Sequence, residues 1–311
     1  MHIDLRQLRH LIALAEHRSF VAAASSVNLS QSAFSRSIQA LEHSAGCQLV
    51  DRSHKELPPT KQGQVVLEHA RRLVSGARLL SNEIRQFNGL EAGELRFGCG
   101  PAPAAGLVPK AIGAFIGRYP KARVQFQVDD WQRLNKRLLA EEIEFFVADT
   151  RQFEADPDYH TQRLQPRRWY FCCRVGHPLA GETSVSAQAL LQYPLAATLR
   201  PPNLRKVIGD LSGQPDFIAN VECENSYSLM GVVLNSDAIG ICTANSSTGD
   251  LVRLNIEGLG EDCEELYTRY GIVSRGRMRL SPLAEAMIEQ IVSTDQAERF
   301  LDACSLEQLA V

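Results

Sequence analysis

Two apolar stripes with a two-residue interruption between them fix how Ser19–Gly46 can fold, and that segment constrains the rest of the chain. Ser19 precedes an alanine-rich run and suits an N-cap, because its hydroxyl accepts an N–H that the first helical turn leaves without a partner. Phe20, Ala23, Ala24 and Val27 recur at helical spacing and would face a core. Asn28 and Leu29 interrupt, and Ser30 caps a second helix. In that helix Phe34, Ile38, Leu41 and Ala45 fall at i, i+4, i+7 and i+11, one buried stripe. Gln31, Ser32, Ser35, Arg36 and Gln39 lie opposite, a hydrogen-bonding face with one positive charge and no acid. Such a face suits DNA: Gln pairs bidentately with adenine, Arg with guanine, and Ser with a base or a phosphate. In a helix-turn-helix the N-terminal residues of the second helix reach the base edges. Any amphipathic helix has a polar side, so the face alone leaves an ordinary solvated helix open.

The neighbouring residues narrow that choice. The run LSQSAFSRSIQALE, then Gly46, LVDRS and PTKQG, resembles the N-terminal domain of LysR-type transcriptional regulators. The matching positions are Ser30, Gln31, Ser35, Arg36, Ile38, Leu41, Glu42, Gly46, Leu49, Arg52, Thr60 and Gly63. Val50 and Pro59 depart from the family pattern, where Phe and Leu are usual, and both lie in the expected wing. The resemblance implies an α/β protein with three parts. These are a winged helix-turn-helix over residues 1–60, a long linker helix over 61–90, and a bilobal effector domain, like a periplasmic binding protein, over 91–311. Within the last part, subdomain one would take about 91–165 and 267–311, and subdomain two about 166–266.

Charge is distributed unevenly along the chain. Residues 1–90 carry 11 Lys/Arg against 7 Asp/Glu, and residues 91–311 carry 22 against 29. A modestly basic head on an acidic body fits DNA binding by the head. Met1–Glu16 is amphipathic and interrupted by charges, unlike a secretion signal, and no apolar run reaches the ~18 residues of a membrane helix. The expectation is therefore a cytoplasmic protein with no membrane partner. The eight Cys form no CxxC pair. Adjacent Cys172 and Cys173 would point to opposite faces of a strand, so the cysteines read as small buried apolar residues.

Asp4 to about Arg18 reads as a first helix packed behind the other two. Leu49–Asp51 and Glu56–Leu57 would flank a short hairpin, the wing. There Arg52 and Lys55 would reach phosphate or the minor groove, and Thr60 a phosphate. Lys61–Asn88 reads as one helix in which Val66, Ala70, Leu73, Ala77, Leu80, Ile84 and Phe87 alternate spacings of 4 and 3, a heptad seam. A single-chain core helix shows the same stripe. Its length, about 42 Å at 1.5 Å per residue, and its place beside a DNA-binding head favour pairing with a second copy. The resemblance implies antiparallel pairing of this helix in a homodimer or homotetramer, with RNA polymerase as a further partner.

Beyond a hinge at Gly89–Gly93, strands and helices alternate, which implies parallel sheets covered by helices. Expected strands are Leu95–Cys99, Val124–Val128, Phe145–Ala148, Arg168–Val175, Leu195–Thr198, Phe217–Val221 and Ala238–Cys242. Expected helices are Leu107–Arg118, Trp131–Ala140, Leu204–Leu211, Ser226–Leu234 and Pro282–Val292, with one more short helix in Thr294–Val311. Ligands of such folds bind at strand carboxyl ends near helix N-termini. That rule selects Gly100, Pro101, Ala102, Asp130 and Trp131 from one lobe, and Thr198, Leu199, Arg200, Asn225 and Ser226 from the other. Many LysR-type proteins place Ser or Thr near the first two positions to hold an effector carboxylate. Pro101 and Trp131 stand there in this chain and imply a more apolar pocket, part-filled by Trp131, with Arg200 available to an anion. Trp131 as a core residue and Arg200 as a surface one stay open.

An enzyme fits poorly. Gly98 and Gly100 follow a strand, but Pro103 stands where a dinucleotide loop needs its third Gly. GxSxG, HExxH and Cys/His metal spacings are absent from the sequence, so neither a metal nor a cofactor is expected. A secreted solute-binding protein would carry a signal and no helix-turn-helix. A DNA-binding protein whose body only oligomerises stays open.

Overall fold

The computed structural model describes residues 3–87, 93–198, 202–213, 218–243, 250–259, 263, 266–276 and 278–308. The chain divides into two compact units, residues 1–94 with 136–143, and residues 95–135 with 144–311.

The first unit opens with α1 (Leu5–His17), α2 (Phe20–Ser26) and α3 (Gln31–Ala45). The expected caps form: Ser19 accepts from Ala22 N–H, and Ser30 from Ala33 N–H. Asn28 takes a left-handed φ of 56° in the turn, and Gly46 ends α3 at φ 70°, a conformation that favours glycine. Phe34, Ile38 and Leu41 are fully buried against Leu8, Leu11 and Leu14 of α1 and Ala23 and Ala24 of α2. The long helix α4 runs Lys61–Phe87.

The second unit has two lobes. In chain order its elements are β1 (Glu94–Cys99, whose first residue is assigned to the other unit), α5 (Pro101–Ala105), α6 (Leu107–Arg118), β2 (Arg123–Val128), α7 (Trp131–Leu139, whose residues 136–139 are likewise assigned to the other unit), β3 (Phe145–Asp149) and β4 (Tyr159–Arg163). There follow β5 (Trp169–Arg174), α8 (Ala187–Leu190), β6 (Ala196–Ala197), α9 (Pro202–Ser212), β7 (Val221–Glu222), α10 (Ser226–Leu234), β8 (Gly240–Thr243), β9 (Leu251–Leu254), β10 (Tyr270–Arg275) and α11 (Pro282–Gln308). Lobe one is a five-stranded sheet in the order β2-β1-β3-β10-β4. Phe97, Phe145, Val147 and Ile272 of the sheet meet Val108, Ala111 and Phe115 of α6 and Ala284, Met287 and Ile291 of α11 in one core. Lobe two carries the sheet β8-β5-β9 and the pair β6-β7.

The parallel-sheet expectation holds only in part. β1 pairs β3, and β6 pairs β7, in parallel. β10 is antiparallel to both its neighbours, because the chain re-enters lobe one from lobe two, and β5 is antiparallel to β8 and β9. The separate helix expected after Thr294 is not separate: α11 continues unbroken to Gln308. β7 begins at Val221, the last residue of its expected span, and Phe217 lies outside the described residues, as do Gly89–Glu91 and Ala92 of the expected hinge. β5 places Cys173 in the lobe-two core and Cys172 on the opposite face.

Candidate nucleic-acid interface and inter-lobe cleft

The polar face of α3 stands where its spacing puts it. Ser30, Gln31, Ser32, Arg36 and Gln39 are exposed, and Ser35 is half-buried. The Ser30 hydroxyl is engaged as the cap, 3.3 Å from Ala33 N and 3.2 Å from Ser32 Oγ. The helix is held from behind by His10, whose Nδ1 lies 2.7 Å from Ser37 Oγ and whose ring centroid is 5.3 Å from that of Phe34. Burial, helped by nearby Arg6, lowers the His10 pKa below its ordinary value, so the imidazole is held neutral.

Two of the expected phosphate contacts also have partners within the chain. Arg52 Nη2 donates to Glu42 Oε2 at 2.7 Å, with the guanidinium 5.9 Å from the centre of the Phe20 ring, so its charge is engaged within the chain. Glu42 Oε1 also accepts from Leu49 and Val50 N–H at 3.0 and 3.3 Å, so this one carboxylate ties α3 to the segment that follows it. Thr60 is the N-cap of α4: its hydroxyl donates to Gln48 O at 2.7 Å and accepts from Gly63 N at 2.9 Å. A Cβ on Gly63 would sit 1.9 Å from Leu49 O, so only glycine allows this approach.

The wing itself is shorter and later than expected. Its pairing is a single bridge, Val50 to Pro59, flanked by Asp51 N donating to Pro58 O at 2.8 Å. Pro58 and Pro59 lack N–H groups, so a longer ladder cannot form there. Asp51 organises the loop by accepting from Ser53 N at 2.9 Å and from Ser53 Oγ at 2.5 Å, which hold its carboxyl below the usual pKa. Lys55 is exposed at the loop tip.

The heptad seam is divided. Ala70 is fully buried and Val66 packs beside it in the core of the helix-turn-helix, so these two are taken by their own chain. Leu73, Leu80 and Ile84 are 55, 59 and 51% exposed, and Ala77 is half-buried. Helix α4 thus turns one stripe inward over its first half and presents apolar side chains to solvent over its second. The Phe87 side chain lies outside the described residues.

In the second unit α5 and α10 face each other across the lobes. Ser226 Oγ donates to Pro101 O at 3.4 Å, which brings together two residues selected from different lobes. Nearby, Arg133 of α7 lies 3.6 Å from Glu224 of the other lobe, and 3.1 and 3.5 Å from Asp129 and Asp130. The sequence reading missed this contact, though Asp129 and Arg133 stand at i, i+4 on a helix start. The side of α5 offers only Pro and Ala, with Gly100 buried and Ala102 half-buried. Asn225 caps α10 by accepting from Ser228 N at 3.1 Å. Trp131 meets Phe153 edge-on, centroids 5.8 Å apart, within an aromatic group that includes Phe146 and Tyr159, so it belongs to the lobe's own packing. Thr198 is half-buried, and Leu199 and Arg200 lie outside the described residues.

The first crossover between lobes is clamped. Arg167 pairs with Asp295 at 2.6 Å and Glu298 at 2.8 Å, Asp295 also accepts from Gln165 N at 2.8 Å, and Lys110 reaches Glu298 at 2.7 Å. The strands also bring two thiols together, which the sequence reading did not single out. Tyr170 pairs with Cys242 and Cys172 with Gly240, so Cys172 and Cys242 share a face diagonally. The neighbouring Cys242 thiol, together with burial, pushes Cys172 above the usual thiol pKa.

No group of three or more His, Cys, Asp or Glu among the described residues is arranged to hold a metal ion. Nor is any described helix long and apolar enough to cross a membrane.

Comparison with known proteins agrees along the chain. Residues 5–64 match the profile of bacterial regulatory helix-turn-helix proteins of the lysR family, and residues 88–296 that of the LysR substrate binding domain. The SDS degradation transcriptional activation protein of Pseudomonas sp. (strain ATCC 19151) is 43% identical over 298 residues, 94% of this chain and 96% of that protein. The uncharacterized HTH-type transcriptional regulator YbhD of Escherichia coli (strain K12) is 28% identical over 300 residues, 94% and 92% of the two chains. Among solved structures, full-length CbnR complexed with its target DNA superposes with a TM-score of 0.65 at 21% identity, covering 94% of this chain and 100% of that one. Full-length OxyR from Pseudomonas aeruginosa gives 0.62 at 18% identity, covering 95% of each.

Proposed function

Because the chain belongs to the LysR family of bacterial helix-turn-helix transcriptional regulators, we propose that it reads a partly palindromic operator and is gated by a small molecule between the lobes of its second unit. The observation that carries the DNA half is the exposed face Gln31, Ser32, Arg36 and Gln39 on a helix whose opposite side is fully buried. In this reading residues 1–60 bind DNA, 61–90 pair subunits into a dimer or tetramer, and 91–311 sense the effector. Two heads with half-sites about 34 Å apart, or a multiple of that, set the operator geometry. Gln31, Ser32, Ser35, Arg36 and Gln39 address bases, and Lys55 a phosphate.

The effector half assigns Gly100–Ala102, Asp130, Thr198, Asn225 and Ser226 to a cleft between the lobes, and its support is the Ser226 hydroxyl reaching Pro101 O across them at 3.4 Å. The aliphatic wall of α5 favours a ligand with an apolar body. The relative named for activation of SDS degradation suggests which one: an alkyl sulfate, with genes for its breakdown as targets and RNA polymerase as the partner in activation.

Selection of binding duplexes from random DNA, followed by equilibrium titration, tests the first half. Arg36→Ala is expected to weaken binding to the selected operator by about 1–3 kcal/mol relative to scrambled DNA. Failure to enrich any duplex would overturn the operator reading. For the second half, hexyl sulfate well below any micellar concentration is expected to raise the thermal midpoint and change operator affinity. An unchanged midpoint and affinity across a panel of alkyl sulfates would remove the effector assignment.

A further inference from the structure

Ser32, Arg36, Gln39 and His43 fall at i, i+4, i+7 and i+11 of α3, and all four are exposed. The buried stripe Phe34, Ile38, Leu41 and Ala45 has the same spacing, offset by two residues, or about 200° of helix rotation. The outward stripe therefore runs one turn beyond Gln39. No hydrogen bond, ion pair or ring contact to another described residue engages the His43 side chain.

Distance along the helix separates the roles on this stripe. At 1.5 Å per residue, Ser32 to Gln39 covers about 10.5 Å and Ser32 to His43 about 16.5 Å. A major groove is about 12 Å wide. For a helix that lies across the groove, the first three residues fit between its walls and His43 stands level with the sugar–phosphate backbone. An imidazole has at least one N–H donor in either protonation state, enough for a phosphate oxygen. Arg52 and Thr60, the phosphate contacts expected near this end of the helix, are both engaged within the chain.

We propose that His43 is a phosphate-anchoring residue, which fixes how deeply α3 sits in the groove and adds affinity without sequence preference. This rests on the operator reading above. The test uses the full-length protein and measures dissociation constants for the selected operator and a scrambled duplex over a range of salt, for wild type, His43→Ala, His43→Arg and Arg36→Ala. His43→Ala is expected to lose on the order of tenfold on both duplexes, with their ratio and the thermal midpoint unchanged. His43→Arg restores both affinities and steepens the slope of log K against log salt by ~0.9 relative to His43→Ala. Wild-type affinity in His43→Ala, or a loss confined to the operator, would overturn the assignment while Arg36→Ala still loses operator binding. If Arg36→Ala and His43→Ala both bind as wild type, the α3 face is not what reads the operator and both assignments fall.

Discussion

The Glu42 carboxylate reaches ten residues along the chain to Arg52, accepting its guanidinium at 2.7 Å while its other oxygen takes the N–H groups of Leu49 and Val50. One side chain on α3 thereby sets the start of the wing. Arg52 is 41% exposed, so the ion pair itself adds little. The two N–H groups belong to residues buried in the head's core, so losing Glu42 strips them of their acceptor. Glu42→Ala is expected to lower stability by about 1–3 kcal/mol, and Arg52→Ala by less than 1 kcal/mol. Denaturant melts of the two variants decide it; equal losses would show that the ion pair, and not the backbone contacts, is what matters.

Gly63 permits a close backbone approach in the head, since a Cβ there would sit 1.9 Å from Leu49 O. Nothing flexible stands there to give way. Gly63→Ala should cost at least the 1–3 kcal/mol typical of overpacking, despite alanine's better helix propensity, whereas Gly76→Ala, which meets nothing within 4 Å, should be neutral or stabilising. Urea midpoints of the pair check this, and a stabilised Gly63→Ala would refute the close approach.

His10 is buried and its folded pKa lies below the ordinary histidine value. The unfolded chain therefore takes the proton first. The stability that depends on a neutral His10 is fully present above about pH 6.5 and is lost as the pH falls toward the lowered folded value. His10→Leu should flatten this part of the stability profile relative to wild type between pH 7 and 5, at the expense of the Ser37 contact. Parallel profiles for the two proteins would show that His10 does not titrate with folding.

The outward half of α4 and its inward half predict opposite phenotypes. Leu73→Asp or Leu80→Asp should reduce oligomer mass, measured by sedimentation, with the head intact, since both side chains are more than half exposed. Ala70→Asp places a charge in the core and should unfold the head instead. A stable dimer in Leu73→Asp/Leu80→Asp would place the subunit contact elsewhere.

These contrasts show where sequence sufficed. The ends of α3, α6 and α10 were legible because strong caps or a clean 3.6-residue stripe mark them. β4, Tyr-His-Thr-Gln-Arg, has no apolar alternation because it is an edge strand whose side chains are largely exposed, so periodicity is silent. α5 is five residues of Pro and Ala and carries no stripe. Spacing assigned Arg52 and Thr60 chemistry by residue type, but type does not say whether a partner already holds the group. Glu42 and Gln48 do, and neither contact has a signature in spacing. The same limit hid Cys172 and Cys242, distant in sequence and joined only by strand register.

Arg167, Asp295 and Glu298 are all nearly excluded from water, with side-chain exposures of 14, 3 and 7%. Their network joins the first crossover to α11, and Lys110 carries it to α6 from a half-exposed position. Removing a buried partner leaves an uncompensated charge, which typically costs 3–5 kcal/mol, whereas the exposed end of a network contributes about 0–1 kcal/mol. Asp295→Ala loses, in addition, the acceptor for Gln165 N–H at the crossover. It is therefore expected to shift the urea midpoint several times further than Lys110→Ala. Arg167→Met combined with Asp295→Leu, which removes charge of both signs, should recover part of that loss because neither side chain then buries an unpaired ion. Similar small shifts for Asp295→Ala and Lys110→Ala would mean that water reaches the crossover, and that the apolar core between α6 and α11 holds the C-terminal helix without the ions.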